Sequence, residues 1–179
     1  ASLLDISRIQ AGDRKFTPTP FDICEMGRVI LISFEQQIDE KKLDVSFECE
    51  SDRMIVLADH DAIYQIFYNI CHNAVKFSKP GGAFRVRIRF SRDHKVLVSV
   101  YNEGEGIPEE DLPYIFDRFY KSDKSRGLDK SGAGLGLFIA KTIIQAHGEK
   151  IWAQSEEGKW CEFFFTLTKA EQQEKGADA

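Results

Sequence analysis

From Phe84 to Phe90 apolar residues alternate with arginines: Phe84, Val86, Ile88 and Phe90 on one parity, Arg85, Arg87 and Arg89 on the other. Successive side chains of a strand point to opposite faces, so this run describes a strand with one face buried and one solvated by the arginines. A second strand-forming run, Val96 to Tyr101, follows Ser91-Arg92-Asp93-His94, which closes the pair as a hairpin. Such a one-faced antiparallel sheet needs helices over its apolar side, and three segments with helical periodicity supply them. Asp22 to Lys42 is predicted as one amphipathic helix, with Ile23, Met26, Val29, Ile30, Phe34, Ile38 and Leu43 in phase. Asp61 to Ser78, capped by Asp59 or Asp61, and Leu137 to His147, closed by Gly148, are the other two. Leu43–Glu50, Met54–Leu57, Lys150–Gln154 and Cys161–Leu167 complete the strands, and a short helix ends near Phe116. The fold class read from this pattern is α+β: a two-layer sandwich with a mixed, mostly antiparallel sheet and helices on one face.

The chain has 179 residues, enough for one domain with a core that needs no staple. Its 24 basic and 29 acidic side chains leave a net charge of −5, which argues against sequence-independent nucleic-acid binding. No apolar run reaches the roughly 18 residues of a membrane span. Cys24, Cys49, Cys71 and Cys161 are dispersed with no CxxC pair, and His60, His72, His94 and His147 lack metal-ligand spacing. A reducing, cytoplasmic setting fits, while membrane attachment of a parent protein stays open. Pro18 and Pro20 mark an extended linker over 13–20, so the main domain is expected over 21–168 with a polar tail over 169–179.

Three segments carry candidate chemistry. On the Asp61–Ser78 helix, Ile63, Ile66, Phe67, Ile70, Ala74 and Phe77 share one side, and Gln65, Asn69, Asn73 and Lys76 another. Asparagine is a mediocre helix former, so two of them one turn apart suit a ligand better than solvent: an amide oxygen is a hard donor for Mg²⁺, and lysine binds phosphate. Asn102-Glu103-Gly104-Glu105-Gly106-Ile107-Pro108 places two glycines where the backbone turns tightly or approaches a ligand. Gly132-Ala133-Gly134-Leu135-Gly136-Leu137 sets glycines before a helix whose free N–H groups favour an anion. Taken singly, each also reads as a solvated face, a plain turn or a hinge. Between the last two, Lys121 to Ser131 is basic, nearly devoid of apolar residues and expected to be a mobile loop. No GxxxxGK[ST] is present.

The order of these segments resembles the catalytic, ATP-binding domain of sensor histidine kinases, the Bergerat fold of the superfamily that also holds gyrase and MutL ATPase domains. The resemblance covers Phe21 to Leu167. Gln65 to Ser78 is similar to the family's N box, Asn102 to Ile107 to its first glycine box, Ile115-Phe116-Asp117-Arg118-Phe119-Tyr120 to its F box, and Gly132 to Leu137 to its second glycine box. Leu3 to Ile9 resembles the end of the dimerisation helix, which makes 1–12 an expected remnant of it. The resemblance implies Asn73 as the Mg²⁺ ligand, Asn69 in support and Lys76 on phosphate. Asn102, Gly104, Gly106 and Ile107 would shape the nucleotide pocket, and Phe116, Phe119 and Tyr120 would anchor a lid. Lys124, Arg126 and Lys130 would offset triphosphate charge, and Gly132, Gly134, Leu135, Gly136 and Leu137 would form the lid's hinge and phosphate contacts. The implied cofactors are ATP and Mg²⁺. The implied partners are the dimerisation domain with its phosphoacceptor histidine, which no histidine here matches in context, and a response-regulator receiver domain. The chain alone is expected to be monomeric and its parent a homodimer.

Three positions depart from the family pattern. Asn102 stands where aspartate usually accepts from the adenine amino group, a change worth about 1 kcal/mol, or fivefold in affinity. Asn69 stands where hydrolytic relatives carry a water-activating glutamate, and it cannot take a proton at neutral pH. Glu149 replaces a usual glycine and Trp160-Cys161 replaces small residues, both expected to affect only turn packing. The alternatives are a nucleotide-independent regulatory module disabled at Asn102 and an ATPase clamp.

Overall fold

The computed structural model describes residue 8, residues 14–117, residue 120 and residues 136–171. Seven strands form one sheet: β1 (Thr19–Asp22), β2 (Asp44–Cys49), β3 (Ile55–Ala58), β4 (Ala83–Ser91), β5 (Lys95–Glu103), β6 (Ile151–Glu156) and β7 (Trp160–Lys169). Their order is β1-β3-β7-β5-β4-β2, with β6 also on β7. Only the β2–β4 pair is parallel, so the sheet is mixed and mostly antiparallel as the alternation implies. β5 holds one side of β7, so β6 and β3 follow each other along the other side.

The alternation in β4 does what its pattern requires as far as Ile88, whereas Phe90, expected on the buried face, is 38% exposed at the outer end of the strand. Phe84, Val86 and Ile88 are fully buried, facing Asn102, Val100 and Val98 across the ladder. On the outer face, Arg85 lies over Tyr101 at 5.0 Å, and Arg87 Nε lies 3.2 Å from Glu48 Oε2 but off line for a hydrogen bond. The β4–β5 turn runs through Asp93 (φ 59°) and His94 (φ 55°), two successive left-handed residues closed by Lys95 N–H to Arg92 O. That is the mirror-image turn whose twist suits a hairpin.

Helices α1 (Ile23–Ser33), α2 (Glu35–Lys41), α3 (His60–Phe77) and α4 (Gly136–Ala146) complete the secondary structure with a 3-10 turn at Leu112–Tyr114. Asp22 Oδ1 caps α1 through Cys24 N–H, and Asp59 Oδ1 caps α3 through Ala62 N–H. The core lies between α1, α3 and α4 and the inner sheet face, with Phe67 edge-on to Phe165 at 5.7 Å. No described helix is long and apolar enough to cross a membrane.

The structure corrects several expectations. The single helix over Asp22–Lys42 is two helices broken at Phe34 (φ −101°, ψ 6°), whose ring is buried against Tyr68 of α3 at 4.9 Å. Val29, expected in phase with the core, falls outside the buried stripe of α1 formed by Ile23, Met26, Gly27 and Ile30, and is 46% exposed. Thr19 and Pro20, read as linker, belong to β1; the missing proline N–H is tolerated because β1 is an edge strand. Asn102 lies within strand β5, which ends at Glu103, rather than opening a loop, and the expected helix near Phe116 is only the 3-10 turn. Glu149 does more than shape a turn: it is buried, and Lys95 Nζ, Thr166 Oγ1 and Thr168 Oγ1 donate to it at 2.5, 2.5 and 2.7 Å. Burial pushes this carboxyl up, but those three donors and the Lys95 charge outweigh it and hold it below the usual carboxylate range. All four cysteines are free thiols, and burial raises Cys161 to about 12.

Candidate nucleotide site

Helix α3 carries the first part of the site. Its buried stripe, Ile63, Ile66, Phe67, Ile70 and Ala74, faces the sheet and thereby fixes Gln65, Asn69, Asn73 and Lys76 on an adjoining, half-buried side. The helix ends at Phe77. Its ring, expected in the core, is 44% exposed, with Lys76 Nζ 5.3 Å from its centre. Phe77 is thus an aromatic group of the site that periodicity alone misassigns: its position on the helical wheel matches the core, but the sheet ends beneath it.

Strand β5 brings Asn102 to the same end. It is 4% exposed on the inner sheet face between Phe84 and Cys161, a lone amide at the rim of an apolar floor. The carboxamides of Asn69, Asn73 and Asn102 enter no hydrogen bond among the described residues.

The glycines that follow make the approach of helix and strand sterically feasible. Gly104 bridges Ser78, and a Cβ there would lie 2.2 Å from Phe77 O. Gly106 has φ +64°, and a Cβ would lie 2.4 Å from Glu156 O. Around them the β6–β7 hairpin holds the segment: Ile107 N–H donates to Ser155 Oγ at 2.7 Å, Ser155 Oγ–H to Trp160 O at 2.7 Å, and Gly158 N–H to Glu105 O at 2.6 Å. Glu103 pairs with Lys79 at 3.2 Å, a link across the site's edge with no sequence signal, and this hydrogen bond holds the Glu103 carboxyl below the usual range.

On the other flank, Phe116 is buried edge-on to Phe163 at 6.1 Å, with Lys141 Nζ 5.7 Å from its ring. Tyr120 O–H donates to Asp111 Oδ2 at 3.0 Å. Helix α4 is described from an exposed Gly136, with no atom of the described residues within 4 Å of a Cβ there, and Leu137 packs half-buried against the core. Phe119, Lys124, Arg126, Lys130, Gly132, Gly134 and Leu135, the expected lid over 121–131, the helix remnant over 1–12 apart from Arg8, and the tail over 172–179 lie outside the described residues.

An open-faced sheet whose covering helix turns amides and a lysine toward a glycine-bearing strand end is the architecture of one ATPase class. The chain belongs to the family of histidine kinase-, DNA gyrase B- and HSP90-like ATPases, whose model matches residues 58–171. Within it the chain is similar to sensor histidine kinases. It is 38% identical to sensor histidine kinase WalK of Bacillus subtilis (strain 168) over 177 residues, which is 98% of this chain and 29% of WalK. The chain therefore spans about 29% of the length of the curated relatives it matches. Among solved structures it resembles the catalytic domain of histidine kinase ThkA, with TM-score 0.75 and 32% identity over 86% of this chain and 97% of that one. ThkA in complex with response regulator protein TrrA gives TM-score 0.74 and 29% identity, covering 92% and 46% of the respective chains. Full-length ShkA in complex with AMPPNP gives TM-score 0.82 and 27% identity over 94% of this chain and 35% of that one.

Proposed function

We propose that this chain is the ATP-binding catalytic domain of a two-component sensor histidine kinase, passing the γ-phosphoryl group of Mg-ATP to a histidine of a dimerisation domain for relay to a response-regulator aspartate. The observation that carries this reading is the set of three carboxamides, Asn69, Asn73 and Asn102, without internal partners at one end of the sandwich. Solvent-reachable amides beside a lysine and an exposed aromatic ring suit a ligand that is polar at one end and flat at the other. The sensor kinase relatives, the AMPPNP bound to ShkA and the TrrA bound to ThkA support the choice of nucleotide and partner.

Each residue has a role its chemistry suits. Asn102 presents a fork that accepts from the adenine amino group and donates to the adjacent ring nitrogen. Phe77 and Ile107 offer apolar contact to the base. Asn73 offers a neutral, hard amide oxygen to Mg²⁺, with Asn69 one turn earlier in support; among the described residues no cluster of three or more His, Cys, Asp or Glu offers a separate cage. When bound, Mg²⁺ neutralises charge on the phosphate oxygens. Lys76 adds a positive charge, and the N-terminal end of α4, described from Gly136 onward, adds that helix's dipole. Positioning and charge stabilisation are what phosphoryl transfer chiefly needs. With Asn69 unable to accept a proton, water is not activated there, which favours transfer to histidine over hydrolysis.

Calorimetric titration with ATP, with Mg²⁺ present and chelated, tests this reading. Mg²⁺-dependent binding is expected, and Asn73→Ala should abolish it while leaving the melting temperature unchanged. Binding indifferent to Asn73→Ala, or no binding at all, refutes it. With the dimerisation domain added, phosphohistidine is expected; phosphate release alone would make the chain a hydrolase instead.

A further inference from the structure

The end of α3 holds Asn73, Lys76 and Phe77, and while Ser78 Oγ–H donates to Ala74 O at 2.5 Å, the carbonyls of Val75, Lys76 and Ser78 take no donor from the following chain. Lys76 O would take its helical bond from residue 80, but Pro80 has no N–H. Val75 O would take one from Lys79 N–H, which instead donates to Glu103 O at 2.9 Å. Ser78 O would take one from Gly82 N–H, which donates to Lys79 O at 3.0 Å. All three orphaned carbonyls accept from a single group on another element: Lys41 Nζ, at 2.8 Å from Val75 O, 2.7 Å from Lys76 O and 3.1 Å from Ser78 O.

An ammonium has three donors, and here two end on carbonyls of α3's last turn and the third on its C-cap Ser78, where the helix dipole also favours a positive charge. The Lys41 backbone joins in, accepting from Gly81 N–H at 2.8 Å, so the Lys79-Pro80-Gly81-Gly82 turn is pinned to the same point. Lys41 is half-buried, and burial draws its ammonium below the ordinary lysine range. It lies at the end of α2, outside every motif of the sequence.

We propose that Lys41 is a positioning residue of the nucleotide site: by capping α3 from outside the helix it sets the orientation of Lys76 and Asn73 toward the phosphates and metal. This rests on the nucleotide reading above. Gly104 permits the close approach on one side of this helix end, and Lys41 holds the other.

A double-mutant cycle separates positioning from plain stability. Lys41→Met keeps the stem and removes every donor, and Lys41→Arg keeps charge and donors. Mg-ATP affinity by calorimetry, melting temperature, and amide hydrogen exchange over residues 74–79 are read for each, alone and in the Asn73→Ala background with Mg²⁺-free ATP. Lys41→Met is expected to weaken Mg-ATP binding about tenfold and speed exchange in that turn, with Lys41→Arg restoring most of both. With Asn73→Ala in place, Lys41→Met should change the affinity for Mg²⁺-free ATP less than threefold while still lowering the melting temperature. Affinity within twofold of wild type in Lys41→Met, or an equal loss in both backgrounds, overturns the proposal. Should Lys41→Met fail to fold, Lys41→Gln, which has a shorter stem and loses the charge, takes its place: wild-type melting with about tenfold weaker Mg-ATP binding supports positioning, and wild-type affinity with faster exchange overturns it. A wild-type chain that binds no nucleotide refutes the reading of the site itself; wild-type binding that survives Lys41→Met overturns the Lys41 inference alone.

Discussion

Gly104→Ala puts a single methyl group where the site helix meets its strand. The new Cβ would sit 2.2 Å from Phe77 O, 3.2 Å from Phe77 C and 3.3 Å from Asn102 Nδ2. The shortest contact falls 0.8 Å inside the 3.0 Å limit that real Cβ atoms respect, and the atom it meets is backbone, which has no rotamer to escape into. Either the end of α3 lifts or the end of β5 drops. Overpacking of this kind costs about 1–3 kcal/mol. Displacement also strains the bonds from Lys79 N–H to Glu103 O and from Gly104 N–H to Lys159 O, each worth about 1 kcal/mol. The expected destabilisation is about 3 kcal/mol, which for a domain of this size lowers Tm by about 10 °C. Urea and thermal unfolding read it directly. Gly136→Ala is the control: a Cβ there meets no atom of the described residues within 4 Å, so its effect should stay within about 1 kcal/mol. Gly104→Ala within about 0.5 kcal/mol of wild type would refute the steric account of this glycine.

Other expectations follow from the buried polar groups. The Asn102 carboxamide enters no hydrogen bond among the described residues, so it can turn over and serve a 6-oxopurine as well as adenine; inosine triphosphate should bind within about tenfold of ATP, and Asn102→Asp should widen that gap at least tenfold by calorimetry. Lys95→Met leaves Glu149 buried with only Thr166 and Thr168 as donors, and urea unfolding at neutral pH should show a loss of about 3 kcal/mol. Because the folded Glu149 carboxyl lies below its unfolded value near 4.5, its contribution is present above that pH and lost as pH falls through the folded value. Melting temperature measured from pH 6 down to pH 3 should therefore fall less in Glu149→Gln than in wild type.

Much of the architecture was legible because alternation and helical period are local properties. The arginine parity of β4 marks the sheet's solvated face, and the spacing of Ile63, Ile66, Phe67 and Ile70 marks the buried stripe of α3 that turns Asn69 and Asn73 away from the sheet. The site's amides could be named from residue type and spacing for the same reason: a helix in register with its core presents the rest of its wheel predictably.

What sequence by itself determined here is therefore the set of elements, their two-faced character, and which polar groups each one can offer. Tertiary structure decided what those groups meet. Phe34 breaks a helix that periodicity continues, and Thr19–Asp22 becomes a strand only because β3 offers an edge. Phe77 leaves the core because the sheet ends beneath it, Glu149 gains three donors from β5 and β7, and Gly104 is needed for a carbonyl 27 positions earlier. Lys41 finds its acceptors 34 to 37 residues away. Such contacts depend on where separate elements come to rest against one another, and no property of a residue's own neighbours in sequence fixes that distance.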